Sequence, residues 1–317
     1  MRAVQAFARW GLACVIVWLI LCAGIGIYSL EGALHPGRHP LTESDEESAQ
    51  AIALQDRAAL ADVEIAADDG ATLSAWTLEP KVANGDAVIL LHGQGDNREG
   101  MLGNADMLLR HGYSVLLPDA RAHGKSGGAI ATYGVKEAGD VRRWYDWLER
   151  TQAPHCIDGL GDSMGAAILL SSLAAEPGFC AVSAESTFST FQEAAYDRLG
   201  QEFGTGPWLG RTLLRPAIEA GLLYSRIRYG VDLESASPES AVVSSKVPVL
   251  LIHGLADRNL PPRHSELIKA ANPAVELWEP AGVGHCGAAS VAPAEYERHV
   301  VGWFESHDRS HANTASR

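Results

Sequence analysis

Short apolar runs alternate with longer amphipathic segments over most of this chain of 317 residues. Each run is short enough for a buried strand, and each is followed by a segment with helical periodicity. Parallel neighbours need such a helical crossover between them. The pattern predicts an α/β fold with a doubly wound, mostly parallel sheet. The predicted strands are 87–91, 113–117, 156–160, 179–182, 247–252 and 275–278, and the predicted helices are 97–111, 135–150, 164–175, 262–271 and 294–306.

A hairpin signal precedes these alternating segments. Residues 63–66 and 72–78 read as strands on either side of Asp68-Asp69-Gly70, where the glycine suits a positive φ. We therefore expect antiparallel strands to open a folded domain that spans residues 62–306, followed by a polar tail at 307–317.

Composition limits the possible partners. Hydrophobic residues make up 47% of the chain and charged residues 20%, as in ordinary globular proteins, and the formal net charge is -14. Nucleic-acid binding requires a basic surface, so nucleic acid is not an expected partner.

The N-terminal region contains a segment that could span a membrane. Residues 11–30 carry no charge and would cover about 30 Å as a helix. Arg2 and Arg9 precede this segment, and an acidic cluster within 43–47 follows it. The positive-inside rule then leaves residues 1–10 in the cytosol and the rest of the chain on the extracytoplasmic side, with the lipid bilayer as a partner.

A cleaved signal peptide, with a secreted or periplasmic product, is the alternative interpretation of this segment. Signal peptides have shorter apolar regions and a small-residue cleavage site, which only Gly24-Ile25-Gly26 approaches here. An uncleaved anchor is the favoured interpretation. Residues 31–61 contain two prolines and acidic residues, so we expect an exposed linker or a short helix there.

The five cysteines show no Cys-x-x-Cys spacing, which argues against a zinc site or a disulfide framework. Cys156 and Cys180 begin two consecutive predicted strands, so a disulfide between them is conceivable in an oxidising compartment. Strand geometry usually keeps such pairs apart, and the expectation therefore leans against pairing.

The pentapeptide Gly161-Asp162-Ser163-Met164-Gly165 lies between a predicted strand and a predicted helix. A tight turn at this place would push the Ser163 hydroxyl out of the sheet, and only glycines would fit at its two outer positions. Ser163 is therefore a candidate nucleophile.

His92-Gly93-Gln94-Gly95 follows the predicted strand 87–91, where a loop amide can meet the amide after the nucleophile around a developing oxyanion. We expect the backbone amides of Gln94 and Met164 to be these donors. A lone histidine before a glycine is more often a structural hydrogen-bonding residue than a metal ligand, and we apply this to His92, His123 and His253.

Asp257 follows the predicted strand 247–252, and His285 lies in a glycine-rich loop after the last predicted strand. The order serine, aspartate, histidine is typical of serine hydrolases of one α/β fold. Asp257 and His285 are therefore the candidate acid and base, against the simpler interpretations of a loop aspartate and a surface histidine.

These motifs together resemble the α/β-hydrolase superfamily over about residues 62–306. The resemblance rests on segments 91–99, 117–126, 161–165, 252–257 and 284–285. It is closest to the serine-hydrolase branch with bacterial membrane-anchored hydrolases and Bem46-like proteins, and it extends to prolyl-oligopeptidase-type catalytic domains. Ala122 and Ala166 stand where that family more often has glycine.

The resemblance implies a Ser163-His285-Asp257 triad that cleaves an ester, thioester or amide through an acyl-enzyme, without a metal or organic cofactor. It also implies a short helical lid at about 187–240, a stretch that is rich in aromatic and aliphatic residues. An apolar roof would favour a small acyl substrate with an apolar group, although the same residues could simply pack on the sheet. A carboxylesterase or lipase-like activity is the leading expectation. A peptidase of the prolyl-oligopeptidase type and a non-catalytic, membrane-tethered binding protein are the alternatives.

Overall fold

The computed structural model describes residues 2–201 and 203–308, and within them one sheet of eight strands. The strands in chain order are β1 (Ala58–Ala66), β2 (Thr72–Pro80), β3 (Ala87–Leu91), β4 (Ser114–Pro118), β5 (Ile157–Asp162), β6 (Val182–Glu185), β7 (Val249–Ile252) and β8 (Glu276–Trp278). Their spatial order is β1-β2-β4-β3-β5-β6-β7-β8. β2 pairs antiparallel with β1 and β4, and all the other pairs are parallel. The predicted α/β class with a mostly parallel sheet is confirmed.

Helices connect the parallel strands, as the amphipathic segments predict. The α-helices in the described part of the chain are α1 (Arg2–Leu34), α2 (Glu43–Gln55), α3 (Leu102–Arg110), α4 (Glu137–Thr151), α5 (Met164–Ser172), α6 (Phe191–Gln201), α7 (Trp208–Arg211), α8 (Arg215–Tyr229), α9 (Pro238–Ser244), α10 (Arg263–Ala271), α11 (Ala288–Val291) and α12 (Pro293–His307). β3 and β7 are buried along their whole length, which agrees with their continuous apolar sequences.

The N-terminal region contains more regular structure than the sequence indicates. α1 continues to Leu34, beyond the expected end of the apolar segment at Leu30. Of the two interpretations for 31–61, the short helix is present as α2, which begins with a capping box between Thr42 and Asp45 and contributes Ala49 to the core. β1 starts at 58, four residues before the expected domain start.

The fourth predicted strand, 179–182, is shifted. The strand begins at Val182 and ends at Glu185, whereas Phe179 and Cys180 are buried just before it. The apolar run therefore marks the buried approach to β6, and the strand itself ends on polar residues. Residues 309–317 of the expected polar tail lie outside the described residues, as does Met1.

The expectation against a disulfide between Cys156 and Cys180 is wrong. The two cysteines are bonded, with 5.7 Å between their Cα atoms. Cys156 immediately precedes β5, and the amide of Cys180 donates a hydrogen bond to the carbonyl of Ile157 at 2.9 Å. Because both cysteines lie just before two adjacent strands rather than within them, their side chains can meet.

The chain divides into two compact units. One consists of Met1–His35 and Phe191–Ser235, and the other of Pro36–Thr190 and Ala236–Arg317. The first unit contains α1, α6, α7 and α8, and it includes most of the segment that the resemblance identifies as a lid. The second unit contains the whole sheet and all five candidate site residues.

Candidate active site

Ser163 lies on a strained turn between β5 and α5. Its backbone has φ 53° and ψ -111°, a conformation that non-glycine residues rarely adopt. The amide of Ser163 donates a hydrogen bond to the carbonyl of Glu185 at 2.8 Å, which fixes the turn to the end of β6. The predicted tight turn at Ser163, which we call the nucleophile turn, is therefore present, and its bond to the end of β6 holds it in place.

The outer glycines of the pentapeptide are required by the packing around this turn. A Cβ atom at Gly165 would lie 2.1 Å from the carbonyl oxygen of Leu91, and one at Gly161 would lie 2.7 Å from the amide nitrogen of Ala166. Both distances are too short for carbon atoms, so the end of β3 and the start of α5 can approach only beside glycine.

The structure brings Ser163, His285 and Asp257 together in one hydrogen-bonded chain. Nε2 of His285 is 2.9 Å from Oγ of Ser163, and Nδ1 of His285 is 2.7 Å from Oδ2 of Asp257. A carboxylate only accepts hydrogen bonds, so Nδ1 carries the proton and Nε2 can accept the hydroxyl proton of Ser163. This is the geometry that a serine nucleophile and its general base require.

Several donors converge on the buried Asp257 carboxylate. Oδ1 accepts the amides of Asn259 and Leu260 at 2.8 and 3.0 Å, and Nε2 of His253 lies 3.4 Å from Oδ2. Burial by itself would raise the pKa of Asp257, but the hydrogen bonds from His253 and His285 hold this pKa below its ordinary value. Asp257 therefore stays ionised and can orient the imidazole of His285.

The two predicted oxyanion donors lie on either side of the nucleophile turn. Met164 begins α5, and Gln94 follows Gly93, whose Cβ would be 3.7 Å from Cβ of Ser163. Among the described residues, neither the amide of Gln94 nor that of Met164 donates a hydrogen bond. Two amides without an internal acceptor beside a serine hydroxyl are suited to hold an oxyanion.

Two histidines hold the loop that carries Gln94, which agrees with the structural role predicted for them. Nε2 of His123 accepts the amide of Gly95 at 3.1 Å, and Nε2 of His92 accepts the amide of Ala120 at 3.0 Å. Burial lowers the pKa of His123 to about 4, so its ring is neutral near pH 7 and can act as an acceptor. His253 is also buried, between Oγ of Ser265 and the carbonyl of Leu260.

A buried ion pair links the loops after β3 and β4, and sequence reasoning missed it. The guanidinium of Arg98 is 2.7 Å from Oδ2 of Asp119, and the amide of Arg98 donates to Oδ1 of the same carboxylate at 2.8 Å. The Arg98 side chain has no solvent exposure and lies over the Trp76 ring. The only sequence signal was the presence of both residues in the motifs that carry the family resemblance.

Sequence reasoning also missed an acidic pair next to Ser163. Asp162 and Glu185 are partners in the parallel register of β5 and β6. Burial and repulsion from Glu185 raise the pKa of Asp162 well above its ordinary value, and burial raises the pKa of Glu185 to about 7. No local sequence pattern reports this pair, because it depends on which strands are neighbours.

One group of side chains in the described residues has the spacing of metal ligands. Ligand atoms of Asp86, Cys156 and Asp308 lie within 4.8 Å of one another. The sulfur of Cys156 is bonded to Cys180, so it is not a thiolate, and the group offers only two carboxylates. This arrangement does not fit a metal centre.

Comparison with known proteins identifies the family. A profile described as "Alpha/beta hydrolase family" matches residues 88–298, which include the nucleophile turn and the loops of Asp257 and His285. The chain belongs to the alpha/beta hydrolase family. The family match agrees with the resemblance inferred from the motifs.

Two bacterial proteins are similar to this chain in sequence. YqkD of Bacillus subtilis is 28% identical over 184 residues, which cover 57% of this chain and 58% of that protein. YfhR of Escherichia coli K12 is 27% identical over 213 residues, which cover 64% of this chain and 65% of that protein. The chain thus spans about three fifths of the length of these relatives.

Solved structures of other hydrolases share the fold. The esterase Pf2001 of Pyrococcus furiosus is 25% identical with a TM-score of 0.67, and the match covers 86% of this chain and 99% of that one. An acylaminoacyl peptidase of Pyrococcus horikoshii is 16% identical with a TM-score of 0.59, and the match covers 80% of this chain and 42% of that one. The likeness to the peptidase concerns the fold alone.

Proposed function

We propose that this hydrolase is a serine esterase that cleaves a carboxylic ester through an acyl-enzyme. The observation that carries the proposal is the hydrogen-bonded chain from Ser163 through His285 to Asp257. The similarity to the Pyrococcus furiosus esterase supports the ester as the bond that is cleaved.

In the proposed mechanism, Oγ of Ser163 attacks the acyl carbon while Nε2 of His285 takes the hydroxyl proton. The amides of Gln94 and Met164 hold the oxyanion of the tetrahedral intermediate. The imidazolium then gives its proton to the leaving alcohol, and the acyl group remains on Ser163. Water activated by His285 releases the acid, and Asp257 stabilises the imidazolium in both steps.

A fluorophosphonate probe tests the nucleophile. The wild-type protein should become labelled, and Ser163→Ala should remove the labelling together with turnover of p-nitrophenyl butyrate. Ser44→Ala, at an exposed position of α2, is the matched control and should keep both. Labelling of Ser163→Ala at the wild-type level would refute the assignment.

Turnover of matched substrates separates the esterase from the two alternatives. The p-nitrophenyl ester and the p-nitroanilide of the same acyl group differ only in the leaving group. An esterase should favour the ester, whereas a peptidase should turn over the anilide at a comparable rate. A non-catalytic binding protein would hydrolyse neither above the level of Ser163→Ala.

We further propose that α1 is an uncleaved anchor that keeps the sheet-containing unit on the extracytoplasmic side. Residues 4–34 form one helix with a mean hydropathy of 2.4 in its most apolar window. The second half of α1 packs against α8, and cleavage near Gly26 would cut α1 within this contact. The disulfide between Cys156 and Cys180 supports an oxidising compartment.

A C-terminal alkaline phosphatase fusion tests this location, because that reporter is active only outside the cytoplasm. An active fusion of full-length mass in the membrane fraction is the expected result. An inactive fusion would contradict the orientation, and an active fusion shortened by about the mass of residues 1–26 would instead indicate a cleaved signal peptide.

A further inference from the structure

Outside α1, the first unit exposes large apolar side chains just before α8, at Phe203, Trp208 and Leu213, and on α8 itself, at Leu223 and Ile227. Phe203, Trp208 and Leu213 are 65%, 59% and 56% exposed. They belong to residues 203–214, the connection between α6 and α8, which we call the interfacial segment. Single exposed apolar side chains are common on protein surfaces, but several within one short segment indicate a surface that contacts a partner or a membrane.

The packing of α8 against α1 determines where this segment lies along the anchor. Buried residues recur every four positions on α1, at Cys22, Gly26, Leu30 and Leu34, which form one stripe along the helix. The opposing stripe of α8 consists of the small residues Ala217, Gly221 and Ser225, all of them buried. Small residues allow two helix backbones to approach closely, as at helix interfaces inside membranes.

The two helices run in the same direction. A Cβ at Gly26 would meet the backbone of Ala217, and a Cβ at Gly221 would lie 3.0 Å from the carbonyl oxygen of Gly26. Further along, the hydroxyl of Tyr229 donates to the Glu31 carboxylate at 2.8 Å. The N-terminal end of α8 is therefore level with Gly26, and its C-terminal end is level with the end of α1.

The charges flanking α1 set the level of the bilayer. The described helix is about 45 Å long, which exceeds a hydrocarbon core of about 30 Å. Residues 11–30 are the uncharged part, bounded by Arg9 and Glu31. Gly26 then lies about 6 Å inside the outer boundary of the core. The interfacial segment ends immediately before α8, at the end of α8 that is level with Gly26. The amide of Leu214 donates to the carbonyl of Leu209 at 2.9 Å, which holds the segment close to the start of the helix.

We propose that the interfacial segment is inserted in the outer leaflet of the bilayer, with Phe203, Trp208 and Leu213 in contact with lipid. This proposal rests on the anchor proposed above and goes beyond it, because it adds a second membrane contact formed by the lid region. Aromatic side chains are favoured at this depth. Of the four arginines in residues 203–230, Arg211, Arg215 and Arg226 pair with acidic residues of the same unit, so attraction to an anionic leaflet falls mainly on Arg228.

The consequence for the hydrolase is that α8 and the interfacial segment are held at the membrane by two attachments. The anchor passes through the bilayer, and the interfacial segment lies beside it in the outer leaflet. The lid region would then be in contact with the phase in which amphipathic esters dissolve.

Lipid photolabelling of the full chain in anionic nanodiscs tests this proposal. The probe is a phospholipid with a diazirine on its acyl chain, and adducts are located by mass spectrometry. We expect adducts in residues 11–21 and also in 203–214, the latter about tenfold more abundant than at Val82 and Val291, two exposed apolar residues of the other unit. Trp208→Glu combined with Leu213→Glu should reduce the adducts in 203–214 to the level of these controls.

The outcomes distinguish the separate proposals. Adducts in 11–21 without adducts in 203–214 would overturn the interfacial segment and leave the anchor intact. Absence of adducts in both would overturn the anchor and the interfacial segment together. Fluorophosphonate labelling of Ser163 in the same nanodiscs reports on the esterase independently. Cross-links between copies through Trp208, without lipid adducts, would assign the surface to self-association and refute the lipid contact.

Quenching by brominated acyl chains provides a second measurement that does not depend on charged variants. Trp208→Phe should lower the quenched fraction of tryptophan fluorescence in nanodiscs. Trp147→Phe, on α4 in the other unit, should leave that fraction unchanged or raise it. Equal reductions in the two variants would contradict the proposal.

Discussion

Asp162 and Glu185 face each other across the parallel register of β5 and β6, immediately beside the candidate nucleophile. Glu185 also accepts hydrogen bonds from the turn at Ser163 and from the segment that follows His285. Its carbonyl accepts the amide of Ser163, and its Oε1 accepts the amide of Ala288, three residues after His285. One acidic residue thus holds the nucleophile turn and the loop of the base at a fixed separation.

The raised pKa of Glu185 predicts a specific pH dependence of stability. Burial shifts this pKa from 4.5 to about 7, with Asp162, Asp257 and His253 as the nearby titratable groups. The folded state therefore holds a proton that the unfolded state releases near pH 4.5. The stabilisation is complete below that pH and is lost as the pH rises through about 7.

Glu185→Gln should remove this part of the pH dependence while keeping an acceptor for the Ala288 amide. In the wild type, the free energy of unfolding should fall by on the order of 3 kcal/mol between pH 4.5 and 7 from this group. Urea unfolding at several pH values measures the slope. Glu149→Gln, at an exposed position of α4, is the control and should keep the wild-type slope.

The Asp257 carboxylate predicts a large loss of activity on neutralisation. Asp257→Asn should lower kcat for p-nitrophenyl butyrate by roughly 10³- to 10⁴-fold, because an amide can donate to Nδ1 of His285 and favour the unproductive tautomer. KM should change little. Asp146→Asn, on the α4 surface, should leave both constants unaffected, and a comparable loss in that variant would show that the effect is not specific to Asp257.

His253 is expected to act as a positioning residue for Asp257. Its Nε2 lies 3.4 Å from Oδ2 of Asp257 and 2.9 Å from the carbonyl of Leu260, so it fixes the loop that carries the carboxylate. His253→Gln should lower kcat by about 10- to 100-fold and shift the acidic limb of its pH profile. His299→Gln, which removes a ring stacked on Trp278, should change neither quantity. A purely structural role would reduce stability without moving the pH profile.

The sequence predicted the parts of this fold and site that depend on local pattern. The strands could be predicted from their apolar sequences. The order of Ser163, Asp257 and His285 could also be predicted, because each of these residues lies after an apolar strand or in a glycine-rich turn. Glu185 was not recognisable, because an acidic residue at a strand end looks exposed until its neighbouring strand is known. The pairing of Cys156 with Cys180 likewise depends on the adjacency of β5 and β6, and no spacing rule encodes it.

The disulfide should contribute measurably to stability. It joins residues separated by 24 positions, and closing such a loop stabilises the folded state by about 3 kcal/mol in the chain-entropy description. Cys156→Ser combined with Cys180→Ser should lower the urea midpoint accordingly, while Cys14→Ser, at an exposed position of α1, should not. Equal midpoints for the wild type and the double variant would mean that the bond adds no stability.

The nucleophile turn predicts different outcomes for two glycine substitutions. A Cβ at Gly165 would lie 2.1 Å from the carbonyl of Leu91, whereas one at Gly103, on α3, would have no atom within 4 Å. Gly165→Ala should destabilise the fold by about 2 kcal/mol or more, and it should reduce fluorophosphonate labelling because the adjacent Met164 amide must shift. Gly103→Ala should be neutral or stabilise by up to about 1 kcal/mol, since alanine is the better helix former. Urea unfolding and probe labelling of both variants measure these effects, and similar behaviour of the two would contradict the close approach of β3 and α5 at Gly165.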